Sequence, residues 1–183
     1  MSRTGRYRPD ALARLWQDRR AISAVEFAVS APFLIVLYLG TYQVSDAVSC
    51  NRKVTITARA VADLTSQYAS VNSASQAAIL DASAQIMAPF DASRARIIVS
   101  EFFTDNNGVT KVVWSQSKGG VAAHRPGETV TPDPRLVSNG VYSIVAEVTY
   151  PYVPAATFGV VGPLTLKEVI YMRPRLTSSV AMT

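Results

Sequence analysis

Residues 21–40 read Ala-Ile-Ser-Ala-Val-Glu-Phe-Ala-Val-Ser-Ala-Pro-Phe-Leu-Ile-Val-Leu-Tyr-Leu-Gly, and no other stretch of the chain is long and apolar enough to cross a membrane. A 20-residue helix spans roughly 30 Å, about one hydrocarbon core. Glu26 lies inside this stretch. A carboxylate at the centre of a bilayer costs about 2.5–3.5 kcal/mol on insertion scales, and less near the interface. Such a cost calls for a compensating partner or purpose. The plainer alternative is an interfacial Glu whose carboxylate reaches water along the helix surface.

The length of 183 residues suggests one domain with an appendage. The formal net charge of +5 is concentrated at one end. Residues 1–20 hold Arg3, Arg6, Arg8, Arg14, Arg19 and Arg20 against Asp10 and Asp18, which is 6 − 2 = +4, so the rest sums to 5 − 4 = +1. Basicity beside an apolar segment follows the positive-inside rule. It keeps residues 1–20 in the cytoplasm and exports the larger C-terminal part, since only Arg52 and Lys53 stand near the far side. The folded part carries no basic patch or nucleic-acid-binding signature, so no nucleic-acid partner is expected. Cys50 is the only cysteine and cannot form an internal disulfide. It falls on an apolar stripe, Ala47, Cys50, Val54, Ala58, Val61, Leu64 and Tyr68, and is read as a small packed residue.

A secretory signal peptide has a short basic region, an apolar core of about 7–15 residues and a small-x-small cleavage site. Here the basic region is long, the core is longer and holds Glu26, and no Ala-x-Ala follows directly. A lipoprotein site at Ala47-Val-Ser-Cys50 is separated from the apolar core by the polar run from Thr41 to Asp46. By contrast, Arg19-Arg20-Ala21-Ile22-Ser-Ala-Val-Glu26-Phe27 resembles the processing site of type IV pilin-like proteins. The resemblance implies a cut between Ala21 and Ile22 on the cytoplasmic face, made by a prepilin peptidase. Glu26 and Phe27 then become the fifth and sixth residues. The family usually has Gly where this chain has Ala21.

The closer resemblance is to TadE-like pseudopilins of the tight-adherence (Flp) pilus system. These carry a basic leader followed by a segment like Ala24-Val25-Glu26-Phe27-Ala28-Val-Ser-Ala-Pro32. Glu147-Val-Thr-Tyr-Pro-Tyr152 and Met172-Arg-Pro-Arg175 are similar to segments near the end of such chains. The resemblance implies a minor structural subunit that supports pilus assembly, and with it adhesion and surface attachment. The implied partners are the prepilin peptidase, other pilin-like subunits, the inner-membrane assembly platform and membrane lipid. The freed amine of Ile22 would pair with Glu26 of a neighbouring subunit, so that two desolvated charges compensate each other.

Three regions are expected: a cleaved leader at 1–21, a transmembrane helix at 22–40, and an extracytoplasmic α+β domain at 41–183. The helix is expected to run from Ile22 to Ser70, bent or interrupted at Pro32, with Arg59 and Asp63 paired at i,i+4. Ser73-Ala-Ser-Gln76 reads as a capping box opening a second helix that Pro89 ends. Arg94–Phe103 and Val109–Ser115 form a hairpin around Asn107-Gly108, and residues 116–140 read as a long loop. Val141–Tyr150 is the clearest strand, with Tyr142, Ile144, Ala146, Val148 and Tyr150 on its inner face and Pro151 as its stop. Leu164–Arg173 is the last strand. Helices followed by consecutive strands give an α+β fold, a roughly four-stranded antiparallel sheet on the helical stripe. The pilin-like resemblance implies the same architecture.

No motif nominates a catalytic residue, a metal ligand or a cofactor. His124 is the only histidine, in a Gly/Pro loop, and Gly119-Gly120 lacks the rest of a phosphate-binding fingerprint. The expectation is a non-enzyme without cofactors. The alternative to the pilus subunit is an uncleaved, signal-anchored periplasmic scaffold or binding protein.

Overall fold

A computed structural model describes residues 19–154 and 159–183, with side chains described from Ile22 onward. The expected leader falls largely outside the described residues. Helix α1 (Arg19–Ser66) is 48 residues long, about 72 Å at 1.5 Å per residue. Its two halves differ in pattern. From Ile22 to Tyr38 apolar side chains stand all round the helix and are exposed, Phe27 at 70% and Phe33 at 73%. A helix apolar all round needs a membrane or a protein core around it, and none of the most apolar window is buried within the molecule. Among the described residues this is the one helix long and apolar enough to cross a membrane. From Gly40 onward burial recurs on one face, through Gln43, Cys50, Val54, Ala58, Val61 and Thr65.

Three details of α1 differ from expectation. It continues through Pro32, so the missing donor removes one hydrogen bond without ending the helix. The buried stripe follows Ala62 and Thr65, while Leu64 and Tyr68 are 38% and 46% exposed. The helix ends at Ser66, short of Ser70, and Asp63 pairs with Arg175 and Gln67 in place of Arg59.

Strand β1 (Ser70–Val71) leads into α2 (Ser73–Ala84). The cap of α2 is Asn72 and not Ser73: its side chain accepts from the Ser75 backbone N–H at 2.7 Å. Gln76 turns inward instead of back to the cap, and its Nε2 donates to Thr65 Oγ1 at 3.1 Å. Then come β2 (Arg96–Thr104), β3 (Thr110–Lys118), β4 (Thr129–Val130), β5 (Val141–Tyr152), β6 (Leu164–Met172) and β7 (Ala181–Met182). The antiparallel sheet has five strands in the order β4-β3-β2-β5-β6, not four. The fifth strand, β4, comes from the stretch read as loop. A separate parallel pair, β1 with β7, was also not foreseen. The β2–β3 hairpin turns where expected: Asp105 Oδ1 accepts from the backbone N–H of Asn107 and of Val109, each at 2.8 Å, and Gly108 takes φ +81°.

β5 runs past Pro151 to Tyr152. Pro151 stands opposite Thr165 on the β6 side, whereas β2 begins only at Arg96, opposite Thr149. The absent Pro N–H therefore faces the side with no strand, where Arg94 Nη2 donates to the Pro151 carbonyl at 2.6 Å. Ile144, Ala146, Val148, Tyr150 and Tyr152 join Cys50, Val54, Ala58 and Val61 in one core between sheet and α1. The opposite sheet face is not all polar: Phe102, Val112 and Val145 form a second, smaller core under Val130.

Candidate functional site

The sequence-nominated residues lie at the N-terminal end of α1. Ala21 and Ile22 are within the helix, so the backbone is helical across the expected cut. Glu26 and Phe27 follow one turn later, both exposed. Glu26 makes no hydrogen bond or ion pair among the described residues, and its neighbours one turn away, Ile22, Ser23, Val29 and Ser30, include no cation. Its compensation has to come from outside the described residues, whether from water, lipid headgroups or another chain.

Two of the junctions between the second half of α1 and the head use the C-terminal motifs; between them Thr55 Oγ1 donates to Glu168 Oε2 at 3.1 Å. At the lower junction, Tyr152 donates its hydroxyl to Asp46 Oδ2 at 2.6 Å. Phe90 packs edge-on against Tyr150 and Tyr152, at 6.5 and 6.4 Å between ring centres. Arg94 lies over the Tyr150 ring at 5.7 Å. Burial pushes both tyrosine hydroxyls up, Tyr152 further because it also donates to a carboxylate. Burial likewise pushes the Cys50 thiol up to about 11, with the Asp46 charge adding to it. Cys50 is therefore a packed, unreactive thiol, as its place on the stripe predicts. One turn below, Gln43 accepts from the Val161 N–H at 3.3 Å, and a Cβ on Gly40 would stand 3.4 Å from Val160.

At the upper junction the Met172-Arg-Pro-Arg175 segment closes the helix end. The Arg175 backbone N–H donates to the Ser66 carbonyl at 2.9 Å, and its guanidinium pairs with Asp63. A cation at a helix C-terminus also faces the negative end of the helix dipole. The following residues cross the open end of the sheet. Val180 is fully buried; its N–H donates to Glu101 Oε1 at 2.6 Å and its carbonyl accepts from Trp114 Nε1 at 2.7 Å. Glu101 is 1% exposed, and burial holds its carboxyl above the ordinary value. Glu101 and Trp114 are cross-strand neighbours, so one sheet position holds both the backbone N–H and the backbone carbonyl of Val180.

On the outer sheet face His124 Nε2 lies 2.7 Å from Glu147 Oε1, and Lys167 Nζ lies 3.7 Å from Glu147 Oε2. His124 thus pins the 119–128 connection over the second core. Among the described residues no three His, Cys, Asp or Glu side chains are placed to hold a metal ion. Sequence reasoning singled out Tyr150, Tyr152 and Arg175 but missed Asp46, Gln43, Arg94 and Glu101. Asp46 and Gln43 had a signal: both are polar residues in register with a buried stripe. Comparison with protein-family models, curated proteins and solved structures finds no match to this chain.

Proposed function

We propose that this chain is a minor pilin-like structural subunit that supports assembly of a Tad/Flp pilus, and through it adhesion and surface attachment. It sits in the inner membrane with its N-terminus cytoplasmic and its head periplasmic. Its partners are the prepilin peptidase, other pilin-like subunits, the assembly platform and membrane lipid. The observation that carries this reading is Glu26, an exposed carboxylate and the one charged residue between Ile22 and Gly40. An anchor alone has no use for it, whereas a subunit whose neighbour offers an amine does. A long helix, half exposed and half packed on an α+β head, suits that role: one half is left to meet lipid or other helices. The test is the N-terminal residue of the protein recovered from membranes of a host with an active prepilin peptidase. Ile22 is expected; an intact residue 1–21 segment overturns processing.

One observation favours the alternative of an uncleaved anchored scaffold. α1 is helical from Arg19 through Ile22, and a peptide bond inside a helix has to be unwound before a peptidase can reach it. The same determination of the N-terminal residue separates the two.

A further inference from the structure

The connection between β5 and β6 leaves the head on the side of the exposed half of α1. Its described part is held rigidly: the Val161 N–H is bound by Gln43, and the Val161 side chain packs on the main core. That attachment turns the neighbouring Val160 outward, 50% exposed, against Gly40. Val153 and Leu164, at the ends of the two strands, are 48% and 45% exposed. From Arg20 to Gly40 the helix rises about 30 Å, one hydrocarbon thickness. Val160 therefore meets α1 at the height where a bilayer anchored at Arg20 would end. Below it, Phe33 to Tyr38 are six consecutive exposed apolar residues, covering the helix all round. A single protein partner covers one face of a helix, while lipid covers all of them.

We propose that Val160 is a second membrane contact, entering the acyl–headgroup boundary of a phospholipid bilayer beside α1. It rests on the reading of α1 as membrane-spanning. Two attachment points fix the tilt of the helix and the facing of the head, where one would leave the head free to swing. Branched aliphatic side chains at an interface bury apolar area without displacing a charge.

The test uses the full chain in phosphatidylcholine vesicles with bimane attached at one new cysteine. Native Cys50 is fully buried and does not compete for label. The sites are Val160→Cys, Val36→Cys on the span, and Leu136→Cys at the opposite end of β5. Brominated acyl chains are the quencher, and aqueous iodide is the counter-probe. Quenching by bromine at positions 36 and 160, with none at 136, is the expected result. Bromine quenching at 36 alone, with 160 open to iodide, overturns the contact and leaves the span standing. Position 160 shielded from both quenchers assigns the surface to a protein partner and also overturns it. Quenching at all three sites means the head lies on the bilayer without a specific contact, which overturns it too. No bromine quenching at 36 overturns the spanning reading itself.

Discussion

Glu101 shows how a single residue can be structural while carrying a charge that the core disfavours. Its carboxyl receives the Val180 N–H, and that bond holds the chain end across the sheet. The alternation of β2 predicts an inward side chain at 101, but no sequence pattern says what would satisfy a carboxyl there. The reason lies in β3: the register shifts at Glu101/Phe102, leaving Val113 as an extra residue. Val112 and Trp114, two apart, therefore face opposite sides of the sheet, one in each core. Strict alternation puts them together. Because burial raises the folded-state carboxyl above its ordinary value of 4.5, the folded chain holds this proton more tightly. Its stabilising contribution is full below that value and is lost as pH rises through the folded one. Glu101→Gln keeps the acceptor and removes the titration. The melting-temperature difference, wild type minus variant, is expected to fall as pH rises from below 4.5. Circular dichroism melts of the detergent-solubilised chain over a pH series check this, and a difference constant with pH overturns it.

Among the elements, β5 has its expected inner face at Ile144, Ala146, Val148 and Tyr150, while Tyr142 is half-buried outside the core and packs on Phe103 at 4.6 Å between ring centres. Ile144, Ala146 and Val148 are fully buried against α1. Ile144→Asp places an unpaired charge there and is expected to cost about 3–5 kcal/mol, enough to leave little folded head. Thr149 lies on the other face, beside the cross-strand neighbours Arg96 and Lys167. Two cations flank any carboxylate placed there, so Thr149→Asp is expected to cost less than about 0.5 kcal/mol. Denaturant melts of the two variants check the difference; equal loss means the inner face is misassigned. What was not legible at this scale depends on partners distant in sequence. β4 is two residues long and exists only because Thr110 and Lys111 offer it an edge. β7 is likewise two residues, paired with a β1 of the same length. Such strands have too few residues to show a period. Leu64 leaves the stripe because the buried face at that turn runs through Val61, Ala62, Thr65 and Ser66, all fully buried, and Leu64 lies off it; spacings of three and four alone cannot show which way the face drifts.

Burial on α1 begins at Gly40: before it the helix is a bare, largely apolar half, and after it the head is built around the remainder. What the bare half meets is the functional question, and Glu26→Gln addresses it. Neutralising the side chain lowers the insertion cost by up to about 2.5–3.5 kcal/mol, so membrane levels are expected to hold or rise. Pilus assembly in a host that builds one is expected to fall. Normal piliation at normal protein level overturns a pairing role for Glu26. The strap from Arg175 to Val180 bears on a different matter, the order in which the chain is made. Asp63 and Arg175 are 112 residues apart, and Val180 closes on Glu101 from 79 residues away. At about 5–20 residues per second, Asp63 leaves the ribosome roughly 6–20 s before its partner. The hairpins can form in that interval, but the top of α1 waits unclosed for the last segment. Biosynthesis therefore contains an interval in which the Ser66 carbonyl and the Asp63 carboxylate at the top of α1 stand without the Arg175 that closes them, open to chaperones.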